Sequence, residues 1–256
     1  MFEKRSEKLE RIDTGDYTAE EYDRFLEDIR KVNRYAGDSR ALRNSLINTL
    51  KASDTDRFRI LDIGAGSGEL LREIARYSRK AEKKAHLAGL EINERSARSI
   101  LEESKAYPEI RAVRGDALRL PFRDRAFDYV ISSLFAHHLT DRQIVMALKE
   151  MGRVAGREIF LIDLHRHPAA FAAYKVFCSV FGISQLVRQD GSLSVLRGFK
   201  PPELLDLAKE AGFDDARIVR SFPFRLILRI NLRQTDQNLS AQAFPDELRR
   251  TGQRAA

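Results

Sequence analysis

The most informative part of the chain is Arg59-Ile60-Leu61-Asp62-Ile63-Gly64-Ala65-Gly66-Ser67-Gly68-Glu69. An apolar run passes into three glycines at alternate positions, and an amphipathic run follows them. Glycines let the backbone turn sharply and approach a ligand closely, and the first amide groups of a following helix then point at that ligand. This order predicts a strand, a ligand-binding turn and a helix.

Short apolar runs alternate with amphipathic runs along the rest of the chain. The predicted strands are Arg59–Ile63, His86–Glu91, Ile110–Arg114, Phe127–Ser132, Glu158–Asp163, Ala216–Ser221 and Phe224–Ile230. The predicted helices between them are Glu69–Tyr77, Glu94–Lys105, Asp141–Val154 and Pro201–Ala211. This alternation is typical of an α/β fold with a parallel sheet covered on both faces. Only Phe222 and Pro223 separate the last two strands, so this pair should be antiparallel.

The chain divides into a core with additions at both ends. Residues 1–52 are charged and have helical periodicity, which breaks at Gly37 and Asp38, and we predict a helical cap there. Residues 53–231 form the α/β domain, and residues 232–256 form a polar tail. The insertion at 169–199 exceeds ordinary loop length, and we expect it to be a lid over the substrate. Its apolar residues at helical spacing are consistent either with a core-facing helix or with the apolar wall of a binding site for an aromatic or alkyl substrate.

The amino-acid composition excludes several classes of protein. The chain has 256 residues, of which 43% are hydrophobic and 32% charged, so it can bury a core. Lys and Arg exceed Asp and Glu by 45 to 38, and the interleaved excess favours anionic ligands without requiring nucleic acid. One cysteine, Cys178, excludes an internal disulfide framework. No secretory signal or confident membrane span is present, so we expect a soluble cytoplasmic protein.

The spacing of the glycines bears on the ligand. A dinucleotide fingerprint needs a glycine where Glu69 stands, and a carboxylate there would repel a pyrophosphate. No Lys-Ser/Thr pair follows, which excludes a nucleoside-triphosphate loop. A nucleoside without phosphate is favoured, and S-adenosylmethionine fits. Glu91 ends the second strand, where a carboxylate can accept both ribose hydroxyls, and Asp116 follows the third strand, where it can accept from an adenine amino group.

The set of motifs resembles the class I S-adenosylmethionine-dependent methyltransferases. The matching segments are DIGAGSGE at 62–69, LEIN at 90–93, GDALRLPF at 115–122 and FDYVISSLFAHHL at 127–139. The resemblance implies a Rossmann-like doubly wound sheet of order 3-2-1-4-5-7-6, mostly parallel, with the last strand antiparallel. It also implies cofactor contacts in three groups. The methionine end is held by Asp62, Gly64, Ala65, Gly66 and Gly68, the ribose by Glu91, and the adenine by Ile92, Asp116 and Ala117, with Ser133 as a further cofactor residue.

A narrower resemblance concerns the acceptor. Segments 32–37, 133–139 and 190–199 are similar to bacterial small-molecule methyltransferases found beside type III polyketide synthases, a group related to quinone-biosynthesis methyltransferases. The chain departs from that pattern at Ala36, where glycine is expected, and at His165, where arginine is expected. We expect methylation of a small hydrophobic phenolic, polyketide-like or quinol-like acceptor, on oxygen in preference to carbon. The predicted acceptor-binding residues are Asn33, His165, Arg166, Asp190 and Arg197.

Two histidines are the candidate catalytic residues. His137 and His138 follow the fourth strand, at the sheet edge where ligands bind in this fold. One could deprotonate the acceptor while the other fixes the loop, or both could be structural and catalysis could rest on proximity. We expect no metal site, because no carboxylates with ligand spacing accompany the histidines. The alternatives are methylation of RNA or protein, and a regulatory module that binds the cofactor without catalysis; nucleic acid is not an expected partner, and the oligomeric state is open.

Overall fold

A computed structural model describes residues 2–232 of the protein. Within the first long helix, the side chains at positions 19, 22, 23, 26, 30, 33, 34 and 36 are outside this description. The predicted polar tail also lies outside the described residues, apart from Leu232.

A seven-stranded sheet forms the centre of the molecule. Its strands are β1 (Arg57–Ile63), β2 (Lys84–Glu91), β3 (Ile110–Arg114), β4 (Phe127–Ser133), β5 (Ala155–Leu164), β6 (Arg217–Ser221) and β7 (Arg225–Asn231). The strand order is β3-β2-β1-β4-β5-β7-β6, and β7 runs antiparallel to both of its neighbours. The predicted order and the antiparallel final pair are confirmed. All seven strands lie where the sequence pattern predicts them, with ends shifted by at most three residues.

Helices cover both faces of the sheet because each has one apolar face. They are α5 (Glu69–Lys80), α6 (Glu94–Glu103), α7 (Asp141–Val154) and α10 (Pro201–Glu210). The core on one face includes buried residues of α7 and α10, such as Leu148 and Leu204. The core on the other face includes Leu71 and Ile74 of α5, together with Leu46 of the N-terminal cap. The carboxyl ends of the parallel strands therefore stay uncovered by these helices, at one edge of the sheet.

The cap has the break that the sequence predicts. It consists of α1 (Arg11–Thr14), α2 (Ala19–Ala36), α3 (Asp38–Leu42), a π-helical turn (Arg43–Ile47) and α4 (Asn48–Lys51). Helix α2 starts with a capping box between Thr18 and Glu21, and it ends where Gly37 takes a φ of 94°. Asp38 then forms a buried ion pair with Arg225 of β7, with contacts of 2.7 and 3.2 Å. This pair anchors the cap to the sheet.

The insertion after β5 is a pair of helices, α8 (Pro168–Val180) and α9 (Gln185–Arg197). A small apolar cluster around Cys178, Ile183 and Val187 joins them, and Phe25 and Val32 of α2 pack against it. The insertion and the cap therefore lie together above the carboxyl ends of the strands. No helix within residues 2–232 combines the length and the apolar character needed to span a membrane.

Candidate active site

The glycine turn between β1 and α5 has backbone geometry that favours glycine. Gly64, Gly66 and Gly68 have φ values of 70°, 58° and 80°. A Cβ on Gly64 would lie 2.8 Å from the ring of Phe135, so that glycine allows close packing. A Cβ on Gly66 would meet nothing within 4 Å, so its backbone borders open space in which a ligand can lie.

Glu91, at the end of β2, is tied to this turn. The N–H of Gly66 donates to Glu91 Oε1 at 2.5 Å. Burial raises the pKa of Glu91, and hydrogen bonds from Gly66 and Ile92 partly offset that effect. Ile92 is 65% exposed, an unusual position for an isoleucine, and it offers an apolar surface next to the carboxylate. Asp116 Oδ1 accepts from the N–H of Leu118 at 2.9 Å, which orders the turn after β3.

Two buried polar atoms beside the glycine turn have no hydrogen-bond partner among the described residues. They are Oδ1 of Asp62 and Oγ of Ser133. Burial, followed by the charge of Glu91, raises the pKa of Asp62 well above its ordinary value. Buried polar atoms normally have partners, so two unsatisfied atoms on a cavity wall indicate a position where a ligand binds. A carboxylate, a hydroxyl and an open glycine backbone fit the charged amino acid end of S-adenosylmethionine.

A cavity of about 490 Å³ extends from this turn into the space under the cap and the insertion. Asp62, Gly64 and Ser133 line its cofactor end, and His137 and His138 line the other side. The walls between them are mostly apolar and come from three helices. They include Phe25, Ile29, Val32 and Tyr35 of α2, Ala170, Ala173, Tyr174 and Phe177 of α8, and Val187 and Val195 of α9.

His137 is buried and held by Asp163 from the end of β5. Its Nδ1 lies 2.8 Å from Asp163 Oδ1, and its backbone N–H donates to Asp163 Oδ2 at 3.1 Å. Burial alone would raise the pKa of Asp163, but the nearby His137 charge and its hydrogen bonds lower it overall. When this imidazole is neutral, the carboxylate holds its hydrogen on Nδ1, so the lone pair lies on Nε2.

His138 has the same arrangement with a different carboxylate. Its Nδ1 lies 3.0 Å from Oδ2 of Asp13, in the cap. Burial acts to lower the pKa of His138, but the hydrogen bond that its ring donates to Asp13 and the negative charge of Glu10 outweigh it and raise that pKa. The two imidazole rings are adjacent, with centroids 4.2 Å apart.

Glu10, from the N-terminal segment, lies next to these two histidines. We call Glu10, His137 and His138 the polar group. The side chain of Glu10 is 4% exposed, and its Oε1 lies 3.9 Å from His137 Nε2. Ser194 of α9 donates its hydroxyl to the same oxygen at 2.8 Å. Burial raises the pKa of Glu10, against the opposing effect of the two histidines. The prediction that the histidines lack nearby carboxylates is wrong, because the cap, which lies far away in sequence, supplies Glu10 and Asp13.

Arg197 does not border the cavity and instead binds the backbone of the loop that contains His137 and His138. Its guanidinium donates to the backbone oxygens of His137 and His138, each at 2.8 Å, and also to that of Lys8. Asp190 accepts from the backbone N–H groups of Arg11 and Ile12, both at 2.9 Å, and so caps the first turn of α1. Asp190 does border the cavity, whereas Arg197 does not. The two residues do not bond to each other; both position the walls of the site.

His165 and Arg166 lie away from the cavity. They border a separate shallow depression with Phe2, Glu3 and Lys200. The guanidinium of Arg166 is buried and donates to the backbone oxygens of Phe2, Glu3 and Gly198 and to the Glu203 carboxylate. These bonds secure the N-terminal segment, so the geometry does not place Arg166 or His165 against an acceptor. Asn33 lies in α2, but its side chain is outside the described part of the chain.

The comparisons with known proteins agree with this arrangement. Residues 60–157 match a family described as a methyltransferase domain. Demethylmenaquinone methyltransferase of Staphylococcus aureus is 26% identical over 174 residues, which cover 63% of this chain and 70% of that protein. Magnesium protoporphyrin IX methyltransferase of Synechocystis, solved with S-adenosylhomocysteine bound, superposes with a TM-score of 0.58 at 16% identity, over 83% of this chain and 94% of that one. A SAM-dependent methyltransferase of Aquifex aeolicus gives 0.55 at 15% identity, over 79% and 97%.

Proposed function

Because this chain is a class I S-adenosylmethionine-dependent methyltransferase, we propose that it methylates a hydroxyl oxygen of a small apolar phenolic, polyketide-like or quinol-like acceptor. The observation that carries the proposal is the cavity itself. It begins at the glycine turn, has apolar walls and reaches the polar group of Glu10, His137 and His138. An acceptor between these two ends would have its ring on the walls and its hydroxyl at the polar group.

The cofactor residues are assigned by their positions. Asp62, the glycine turn and Ser133 would hold the methionine end, because they border the cavity. Glu91 would accept from the ribose hydroxyls. Ile92, Asp116 and Ala117 would form the adenine site, which lies outside the cavity lining on the open side of the turn.

The chemistry requires an oxygen nucleophile in line with the methyl group. The methyl carbon leaves the positively charged sulfur as the oxygen attacks, and holding both groups in place accounts for much of the acceleration. A phenol or enol reacts after it loses its proton. We assign this ionisation to the polar group of Glu10, His137 and His138. Asp163 and Asp13 contact the Nδ1 atoms of the two imidazole rings, so these carboxylates do not occupy the Nε2 atoms.

The apolar walls support a ring-bearing acceptor. Aromatic and aliphatic side chains from α2, α8 and α9 surround the space, and each Å² of apolar surface removed from water contributes roughly 25 cal/mol. The name of the Staphylococcus relative refers to demethylmenaquinone, and a quinone-type small molecule is compatible with such walls. A folded RNA or protein would have to insert a group beneath the cap and the insertion, so the small acceptor is the better match.

Turnover assays test this proposal. The full chain would be incubated with S-adenosylmethionine and a panel of phenols, naphthols and quinols, and S-adenosylhomocysteine and product mass would be measured. We expect acceptor-dependent release of S-adenosylhomocysteine and a mass gain of one methyl group on oxygen. Methylation of RNA or protein in parallel reactions, with every small acceptor inert, would contradict the proposal. Cofactor binding without any turnover would favour the regulatory alternative.

A further inference from the structure

We propose that Glu10, His137 and His138 bind one divalent transition-metal ion, of the type that zinc represents, at the polar end of the cavity. One candidate ligand atom from each of the three residues lies within 4.8 Å of the other two. The catalytic meaning of this site rests on the proposed acceptor hydroxyl, whereas the site itself rests on side-chain geometry.

The first argument concerns lone pairs. Ionised carboxylate oxygens only accept hydrogen bonds, so the Asp163 contact at 2.8 Å places a hydrogen on His137 Nδ1, and the neutral ring then has its lone pair on Nε2. That Nε2 atom lies 3.9 Å from Glu10 Oε1, which is another acceptor. The carboxylate of Asp13 orients His138 in the same way, because Asp13 Oδ2 lies 3.0 Å from His138 Nδ1. Lone pairs on Glu10 Oε1 and His137 Nε2 repel each other unless a proton or a metal cation lies between them, and a metal ion would displace such a proton.

The second argument concerns the partners of the candidate ligands. A histidine that binds a metal usually donates its other N–H to a carboxylate or a backbone oxygen, which fixes the ring. Asp163 and Asp13 both do so here. The hydroxyl of Ser194 orients Glu10 through a 2.8 Å hydrogen bond to Oε1. The site therefore has its ligands and the groups that orient them.

Charge supports the same conclusion. Three carboxylates, those of Glu10, Asp13 and Asp163, surround the two imidazole rings. Two guanidinium groups, those of Arg197 and Arg5, lie beside this cluster and donate to the backbone oxygen of His137. A dication among the side chains would offset the carboxylate charge.

The chemical types of the three proposed ligands indicate which metal ion the site prefers. Two imidazole nitrogens and one carboxylate oxygen are the ligand set of His₂Glu catalytic zinc sites, which keep a fourth position open. Magnesium prefers oxygen ligands and is not expected to compete. All three residues border the cavity, so the open position faces the proposed acceptor. The acceptor oxygen would bind there as an oxyanion and release its proton to solvent. Its lone pair would then form the C–O bond as the C–S bond breaks, and the electron pair of that bond would stay on the sulfur of S-adenosylhomocysteine.

Direct binding tests the site without reference to catalysis. The untagged full chain would be stripped with chelator and titrated with Co²⁺, whose visible absorption reports coordination, and with Zn²⁺ by calorimetry. We expect one ion per chain, unaffected by excess Mg²⁺. Asp163→Asn should weaken binding about 10–100-fold, the usual effect of losing a partner of a metal-bound histidine. Glu10→Gln and His138→Ala, which remove ligands, should weaken it more.

A double variant at the other histidine pair is the matched control. His165 and His167 have ring centroids 5.4 Å apart, outside the cavity. His165→Ala/His167→Ala should bind the ion as the parent does. Binding that survives Glu10→Gln and His138→Ala but is lost in this double variant would overturn the proposal. So would a parent protein that binds no more tightly than Glu10→Gln. Circular dichroism and S-adenosylhomocysteine binding would verify that each variant is folded.

Acceptor assays separate this inference from the proposed function. Methylation that is lost on chelation and restored by Zn²⁺ or Co²⁺ would support both. Methylation at equal rates with and without metal would refute the catalytic role of the ion and leave the proposed acceptor standing. Stoichiometric metal binding by a chain that turns over no small acceptor would uphold the site and refute the proposed function.

Discussion

Gly66 and Glu91 are joined by a hydrogen bond of 2.5 Å from the backbone N–H of the glycine to Oε1 of the carboxylate. This bond connects the turn after β1 to the end of β2, the two places where the cofactor's methionine and ribose portions are expected. A carboxylate has about four acceptor positions, so Glu91 can hold the turn and still accept from ribose hydroxyls. Because the side chain is already ordered, little rotamer entropy remains to be lost when the cofactor binds.

Replacing Glu91 should weaken cofactor binding more than folding. Glu91→Ala removes charge-assisted hydrogen bonds that contribute about 1.5–3 kcal/mol each, so the Kd for S-adenosylhomocysteine should rise about 10–100-fold. Glu94→Ala is the matched control, because Glu94 lies three residues away on the surface, with its side chain 54% exposed in a pair with Arg98. Its effect on Kd should be less than about twofold. Calorimetry would compare both variants; an unchanged Kd for Glu91→Ala, or binding of NAD in place of S-adenosylhomocysteine, would contradict this assignment.

Cofactor binding should release a proton from Asp62. Burial and the charge of Glu91 raise the pKa of this carboxyl, so the free protein holds a proton there at a pH where an ordinary aspartate is ionised. The positively charged methionine end would favour the ionised form. Calorimetry in buffers of different ionisation enthalpy should therefore detect release of up to about one proton per cofactor. Asp62→Asn should abolish the release; release that persists in this variant would have to come from another group.

The same carboxyl should make stability of the free protein depend on pH. Its pKa in the folded state exceeds that in the unfolded state, so the folded state binds more protons. Stability should then fall as pH rises from the unfolded-state pKa towards the folded-state pKa. Asp62→Asn lacks this loss, and its Tm without cofactor should exceed that of the parent by a margin that grows with pH. An equal Tm difference at every pH would show that the carboxyl is not the cause.

Local sequence pattern was sufficient to predict the sheet and the glycine turn. The central strands β1, β4 and β5 each contain an apolar run, and the glycine turn is contained in eight consecutive residues. Glu91 and Asp116 follow from positions at strand ends, which the parallel order brings to one edge of the sheet. Such features need no knowledge of distant contacts.

The acceptor end depends on contacts that no local pattern reveals. Glu10 lies in a charged segment with no motif, and it approaches His137 only because the N-terminal segment packs over the strand ends. The sequence gives only a weak indication of a role for Asp163, which is an acidic residue at the end of an apolar strand. Conversely, the sequence suggests that Arg166 and Arg197 bind a ligand, but in the structure their guanidinium groups donate hydrogen bonds to backbone oxygens.

The buried pair of Asp38 and Arg225 should stabilise the cap against the sheet. Arg225→Met leaves the Asp38 charge buried without its partner and should lower the free energy of unfolding by about 3–5 kcal/mol. Adding Asp38→Asn removes that charge, so the double variant should recover part of the loss. Arg98→Met is the control, because its i,i+4 pair with Glu94 is exposed and should contribute less than about 1 kcal/mol. Urea unfolding would measure all four proteins; a double variant less stable than Arg225→Met would contradict the argument.

Filling the apolar part of the cavity should separate acceptor binding from cofactor binding. Ala172 and Ala173 of α8 are both exposed, but only Ala173 borders the cavity. Ala173→Trp should place an indole where the acceptor ring is expected and lower kcat/KM at least about 10-fold, equivalent to about 1.4 kcal/mol. The Kd for S-adenosylhomocysteine should stay within about twofold, because the glycine turn is untouched. Ala172→Trp makes the same change on the outer face of the helix and should leave both quantities near the parent values. Smaller phenols should be less affected by Ala173→Trp than bicyclic ones; an equal loss for acceptors of every size would mean that the substitution acts through the fold and that the acceptor ring lies elsewhere.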